Sequence, residues 1–316
     1  MLETWLTRTL QLRAPIVGAP MAGVSGGRLA AAISAAGALG MVGVGNATPA
    51  EAIAREAELA AAPGAPYGVG LQAWALAQRP EQVSAAIAAG PSLVSVSYGD
   101  YARWVEPLHA AGILVATQVG DVAGARAAAQ AGVDVIVARG GEGGGHGLDA
   151  VATLPLLQAV LDAVDVPVLA AGGIATARGL AAVLAAGAAG AWVGTAFLAA
   201  TESLSSPAAR ARVLAATETE TFYGRLFDIA LQIPWPPVFG GRALRNTFAQ
   251  RWEGREDELA ARPEAADELA DARREQDFDI AYLYAGQGVG QLVAERTAAE
   301  VVSDMADGAE ALLRRW

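Results

Sequence analysis

The chain has 316 residues, a formal net charge of −11 and 53% hydrophobic residues, much of that total being alanine. It contains no cysteine, and all 22 of its basic residues are arginine. Disulfides, thiolate nucleophiles, Cys-ligated metals, a Schiff base on a protein lysine and a Walker phosphate loop are therefore excluded, and the acidic balance argues against an extended nucleic-acid face.

Residues 1–12 hold an early glutamate and no basic apolar leader, so they are expected to belong to the mature protein. The alanine-rich windows are broken by glycine or charge before reaching the roughly 20 apolar residues of a membrane span. A soluble protein with no membrane partner is expected, and the cysteine-free composition fits a reducing cytoplasm.

Eight short apolar runs follow in order, at 14–18, 39–43, 67–71, 93–96, 113–117, 134–138, 167–171 and 190–194. Most are followed by an alanine-rich helical stretch. Thr48-Pro49-Ala50-Glu51 has the spacing of a capping box with Pro at the first helical position. Ala-Gly pairs predict helix ends at Gly37, Gly90, Gly112, Gly132 and Gly187. The phrase "Ala-Gly, then an apolar strand" recurs at 111–115, 131–137 and 187–193, as expected of βαβ units. Eight such units predict a closed (β/α)₈ TIM barrel, an α/β fold. A doubly wound sheet is the runner-up. Against it, Gly18-Ala19-Pro20-Met21-Ala22-Gly23 lacks the glycine spacing of a dinucleotide turn after the first strand.

Beyond Phe197 the rhythm stops. Residues 205–285 are polar and acid-rich and predict a small helical lid or substrate subdomain, leaving 1–204 plus 286–316 as the barrel. Within it, 226–237 has the aromatic and proline content of a lid, and the mixed charges of 253–277 suit a solvated face. An amphipathic helix over about 291–316 is expected to close the chain.

The chemistry is expected after the strands, on the loops at one mouth of the barrel. Residues 138–147 read Ala-Arg-Gly-Gly-Glu-Gly-Gly-Gly-His-Gly, six glycines in ten, ending beside His146. Such a run lets backbone lie close to a ligand and places a titratable imidazole behind it. Gly172-Gly173 and Gly194-Thr195 follow the last two strands, where barrels commonly bind phosphate on backbone N–H groups. Gln72 and Gln118 end the third and fifth strands and could both donate to and accept from a flavin's pyrimidine edge, with Met21, Ala22 and Gly23 packing under a ring. His109, among apolar neighbours in a helix, is expected to be structural, and Trp74, Trp104, Trp192 and Trp235 to be packing residues. His146 and Glu142 have no third ligand nearby, so no metal site is expected. No Gly-x-Ser-x-Gly elbow is present.

Five phrases in this order resemble the nitronate monooxygenase family, also called 2-nitropropane dioxygenases. They are 15–23 (Pro-Ile-Val-Gly-Ala-Pro-Met-Ala-Gly), 139–147, 167–174 (Pro-Val-Leu-Ala-Ala-Gly-Gly-Ile), 190–197 and 286–290 (Gly-Gln-Gly-Val-Gly). The resemblance implies an FMN-dependent barrel oxidising alkyl nitronates, or nitroalkanes, with O₂. By similarity His146 is the catalytic residue, as base toward a neutral nitroalkane or as anchor of an anionic nitronate. The implied cofactor-binding set is Met21, Ala22, Gly23, Gln72, Gln118, Arg139, Gly140, Gly145, Ala171, Gly172, Gly173, Gly194, Thr195 and Gln287. The chain departs from the common pattern in having Arg139 and Gly143 where Gln and Ala are frequent, and Gln118 where some members carry Lys. A cation there would stabilise reduced flavin. The expected partners are a small nitronate or nitroalkane and O₂, with no nucleic acid and no membrane; a homodimer is compatible with the sequence. Two alternatives stay open: an NAD(P)H-dependent flavin reductase of quinone or enoyl-acyl-carrier-protein type, and a non-redox phosphate-binding isomerase barrel.

Overall fold

The structure is a computed structural model that describes residues 2–315; Met1 and Trp316, the outer ends of the two terminal segments considered above, lie outside it. Its strands are β1 (Ile16–Gly18), β2 (Gly40–Gly43), β3 (Tyr67–Gln72), β4 (Leu93–Ser97), β5 (Leu114–Val119), β6 (Val135–Arg139), β7 (Gly145–Gly147), β8 (Val168–Ala171), β9 (Gly190–Val193), β10 (Thr221–Gly224) and β11 (Gly240–Leu244). Eight of them form one parallel sheet in the order β1-β9-β8-β6-β5-β4-β3-β2. These are the eight apolar runs. The ring closes between β1 and β2, where Gly18 donates to the Leu39 carbonyl at 2.8 Å and Leu39 donates to Ile16 at 3.0 Å.

Side-chain alternation divides the core into two layers. Val17, Met41, Leu93, Val135, Val137, Leu169 and Trp192 fill the barrel interior, and Leu6 and Leu10 of the helix Trp5–Leu10 join them. Val94, Val96, Ile136 and Val168 point outward against Leu29, Ile33, Leu156 and Leu180 of the surrounding helices.

The glycines at 37, 90, 112, 132 and 187 all have φ between +64° and +101°, as helix-ending residues do. The box expected at Thr48 is not formed. Helix Ala50–Ala61 is capped by Pro49 without a side-chain bond, because the Thr48 hydroxyl accepts from Gly45 N at 3.0 Å. Capping boxes stand instead at Thr4 and Thr7 and at Thr297 and Glu300. The latter starts the final helix at Ala298, later than about residue 291, after a short 3₁₀ turn at Gln287–Gln291.

The 205–285 stretch carries five helices: Pro207–Leu214, Leu226–Ala230, Thr247–Trp252, Glu256–Ala260 and Glu264–Glu275. It also contributes β10 and β11, which the sequence did not announce; β10 pairs antiparallel with β11, and β11 pairs antiparallel with β7 of the glycine loop. Phe222, Phe227, Phe248, Trp252 and Leu269 form a compact apolar cluster inside it. Among the described residues no helix is long and apolar enough to cross a membrane.

Candidate active site

The same alternation that fills the barrel sets its mouth. Gly68 and Gly70 face inward with Gln72, Leu114 and Ala116 with Gln118, and Val135 and Val137 with Arg139, so three polar side chains converge where the strands end. Above them lies a cavity of about 310 Å³. Met21, Ala22, Gln72, Gln118, Arg139, Gly145, His146, Ala171, Gly172, Gly173, Gly194 and Thr195 all border it. Gly23, Gly140 and Gln287 do not. Gly23 sits beside Arg273, Gly140 packs on Thr153, and Gln287 donates its N–H to the Glu142 carbonyl at 2.9 Å.

Arg139 shapes the glycine loop from beneath. Only 4% exposed, its guanidinium donates to Gly143 O at 2.6 Å, Gly145 O at 2.8 Å and Leu148 O at 2.9 Å. Burial is the largest influence on it and pulls its pKa down; the neighbouring Tyr98 and Tyr223 push the other way. Arg242 of β11 holds the loop's other edge, donating to Gly141 O at 2.6 Å. Glu142 turns away from the cavity, its carboxylate accepting from Thr153 N at 2.9 Å and Thr153 Oγ1 at 2.8 Å. It ties the loop to helix Thr153–Leu161 and takes no part at the imidazole.

His146 is the centre of the site. It is 9% exposed, and Asp228, 2% exposed, places Oδ2 2.9 Å and Oδ1 3.0 Å from Nε2. The indole of Trp235 stacks on the imidazole at 3.7 Å between centroids, and Tyr284 lies 5.2 Å away on another side. Burial, then the charge and hydrogen bond of Asp228, push the Tyr284 phenol well above its ordinary pKa. Trp235, expected to be a packing residue, is therefore a site residue. Trp192 also borders the cavity. Sequence reading missed Asp228: the lid expected at 226–237 contains it and Trp235, but nothing local says which side chains of a proline-rich segment turn inward.

Tyr98 directly follows β4 in the left-handed region, at φ +71°, a costly conformation for a tyrosine. Its buried hydroxyl accepts from Gln118 Nε2 at 2.8 Å, and its ring meets Trp235 and Phe239 edge-on. One polar atom at the mouth is left over: Gln72 Oε1 is buried without a donor.

The two turns expected to hold phosphate are built for close approach. At Gly172 φ is +111°, and a methyl group would stand 2.6 Å from Thr153 Oγ1. Thr195 begins a short 3₁₀ helix, and its Oγ1 accepts from Gly286 N at 2.9 Å, leaving its own hydroxyl proton to donate. His109 lies elsewhere, with Nε2 2.8 Å from Asp134 Oδ2 on the barrel's outer layer, in keeping with a structural role.

The chain resembles known proteins over its full length. It is 36% identical over 227 residues, 72% of this chain, to a hydroxy-methyl-oxo-octahydroindene-carboxyl-CoA dehydrogenase of Rhodococcus jostii, covering 64% of that protein. It spans 64%, 61% and 55% of the lengths of the first curated relatives it matches. A nitronate monooxygenase of Metarhizium robertsii is 32% identical over 332 aligned positions, 94% of this chain and 91% of that one. Among solved structures, FabK from Thermotoga maritima superposes with a TM-score of 0.88 at 28% identity, covering 100% of this chain and 98% of that one. A nitroalkane oxidase from Streptomyces ansochromogenes superposes with 0.82 at 29% identity, covering 96% and 97%. The family model for nitronate monooxygenase matches residues 3–308, so with this barrel and this His-bearing glycine loop the chain belongs to the nitronate monooxygenase family.

Proposed function

We propose that the protein binds FMN at the barrel mouth and oxidises alkyl nitronates with O₂ to a carbonyl compound and nitrite. The observation that carries this reading is one half-enclosed cavity bordered at once by two bare glycine turns, by amides at strand ends and by a buried imidazole. The cradle fits the cofactor. Gly172, Gly173, Gly194 and Thr195 offer N–H and hydroxyl donors to a phosphate without needing lysine. Gln72 Oε1, an acceptor lacking a donor, suits the N–H of a pyrimidine edge. When bound, FMN would take electrons from the nitronate and pass them to O₂. His146 borders the same space and supplies the polar anchor for an anionic nitronate or takes the proton of a neutral nitroalkane. The apolar side chains of Leu231, Ile233 and Trp235 line the cavity around it and exclude water from the alkyl group.

Visible spectroscopy of the FMN-reconstituted protein tests this. Added propionate 3-nitronate should bleach the flavin without O₂, and O₂ should restore it. A flavin that ignores nitronate and bleaches with NADH or NADPH overturns the proposal in favour of a reductase. A protein that takes up no FMN overturns both. His146→Ala should retain FMN and lose most nitroalkane turnover.

A further inference from the structure

We infer that Asp228 is the positioning residue of His146, fixing its proton on Nε2 so that Nδ1 is the nitrogen that meets a carbon acid in the cavity. Both carboxylate oxygens lie within 3.0 Å of Nε2, and the carboxylate is almost wholly buried. A buried carboxylate is stable only where donors satisfy it. Nε2–H is the donor the carboxylate finds, at both of its oxygens. Among the described residues no hydrogen bond reaches Nδ1, while the ring borders the cavity. Trp235 covers one face of the imidazole and prevents it from turning out of this plane. Asp228 and Trp235 both come from the 205–285 stretch, whereas His146 belongs to the barrel loop, so the stretch completes the base instead of merely covering it.

The step follows with its electrons in balance. Nδ1 takes the proton from the carbon bearing the nitro group. The C–H electron pair moves into the carbon–nitrogen bond, the negative charge settles on the nitro oxygens, and the nitronate forms opposite an imidazolium. Asp228 stays ionised and stabilises that cation, as the orienting carboxylate of a hydrolase triad does. The proton then passes to solvent, so no oxidant is needed for this half of the reaction. The inference deepens the nitronate proposal through the same histidine.

The test follows exchange of the α-proton of nitroethane in D₂O by NMR, with FMN-reconstituted protein and without O₂. Wild type should catalyse exchange, Asp228→Asn should lose it by about 100-fold or more, and Asp228→Glu should recover part of it. With O₂ present, Asp228→Asn should lower nitroethane turnover far more than turnover of preformed nitronate. An equal loss on the two substrates assigns Asp228 a merely structural role and overturns the inference. Because only two histidines are present, ¹⁵N spectra of wild type, assigned with His109→Gln, read the tautomer even if Asp228→Asn does not fold. A proton on Nε2 and a bare Nδ1 are expected; a proton on Nδ1 overturns the inference. Exchange without nitronate oxidation would sink the proposed function and spare the dyad. Oxidation of nitronate without exchange would do the reverse.

Discussion

The rings of His146 and Trp235 lie face to face, 3.7 Å apart and within 5° of parallel. An indole so placed restrains the tilt of the imidazole and adds a ring-stacking contact to it. Replacing it with an aliphatic side chain keeps the cavity apolar but removes both effects. Trp235→Leu should reduce kcat on nitroalkanes by about 3- to 10-fold while FMN content stays unchanged. An unaltered kcat would show the stack to be incidental.

Arg139 makes a second prediction. Four carbonyls, those of Gly143, Gly144, Gly145 and Leu148, accept from its fork, and a lysine carries one compact charge that cannot reach all of them. Arg139→Lys should cost about 2–3 kcal/mol in urea unfolding and speed amide exchange at residues 143–147. Retention of both would mean that the glycine loop holds its shape unaided.

Gly172 tests the cofactor cradle. Its φ of +111° is hostile to any side chain, and the added methyl would crowd Thr153 Oγ1. Gly172→Ala should destabilise the fold by about 1–3 kcal/mol and lower the ratio of flavin to protein absorbance. Full flavin occupancy in a stable variant would place the phosphate elsewhere.

The buried phenols predict an alkaline limit. Tyr98 and Tyr284 are both shifted upward, chiefly by burial. Below about pH 10 these phenols are neutral in the folded and the unfolded chain alike. Above it the unfolded chain releases protons that the fold still holds, so stability falls as pH rises. Urea midpoints should therefore drop between about pH 9 and about pH 11, and Tyr284→Phe should flatten that decline.

The barrel was legible because its evidence is local and repeated: each strand is a short apolar run, and five helix ends carry their own glycine. The glycine loop and His146 were legible for a similar reason, since composition so unusual stands out. Asp228 was not. An aspartate in the acid-rich 205–285 stretch looks like any solvated carboxylate, and only the long-range pairing of β11 with β7 brings it to a histidine 82 residues earlier. The same pairing explains why Trp235 passed for packing. For Gln118 the amide was foreseen at the mouth, but its bond to Tyr98 depends on a left-handed tyrosine that no sequence signal announces.

Gly241 pairs with His146 across the β7–β11 ladder, and Tyr223 clamps its end by donating to Gly147 O at 2.8 Å while accepting from Gly240 N at 2.9 Å. The 205–285 stretch thus cannot swing off as a rigid flap without unzipping the backbone that carries the imidazole. The tip between Ile233 and Val238 lies outside the ladder; three prolines restrict it, Val238 at its end is 64% exposed, and Trp235 within it stays stacked on the imidazole. A substrate therefore has to reach the imidazole with that ladder intact.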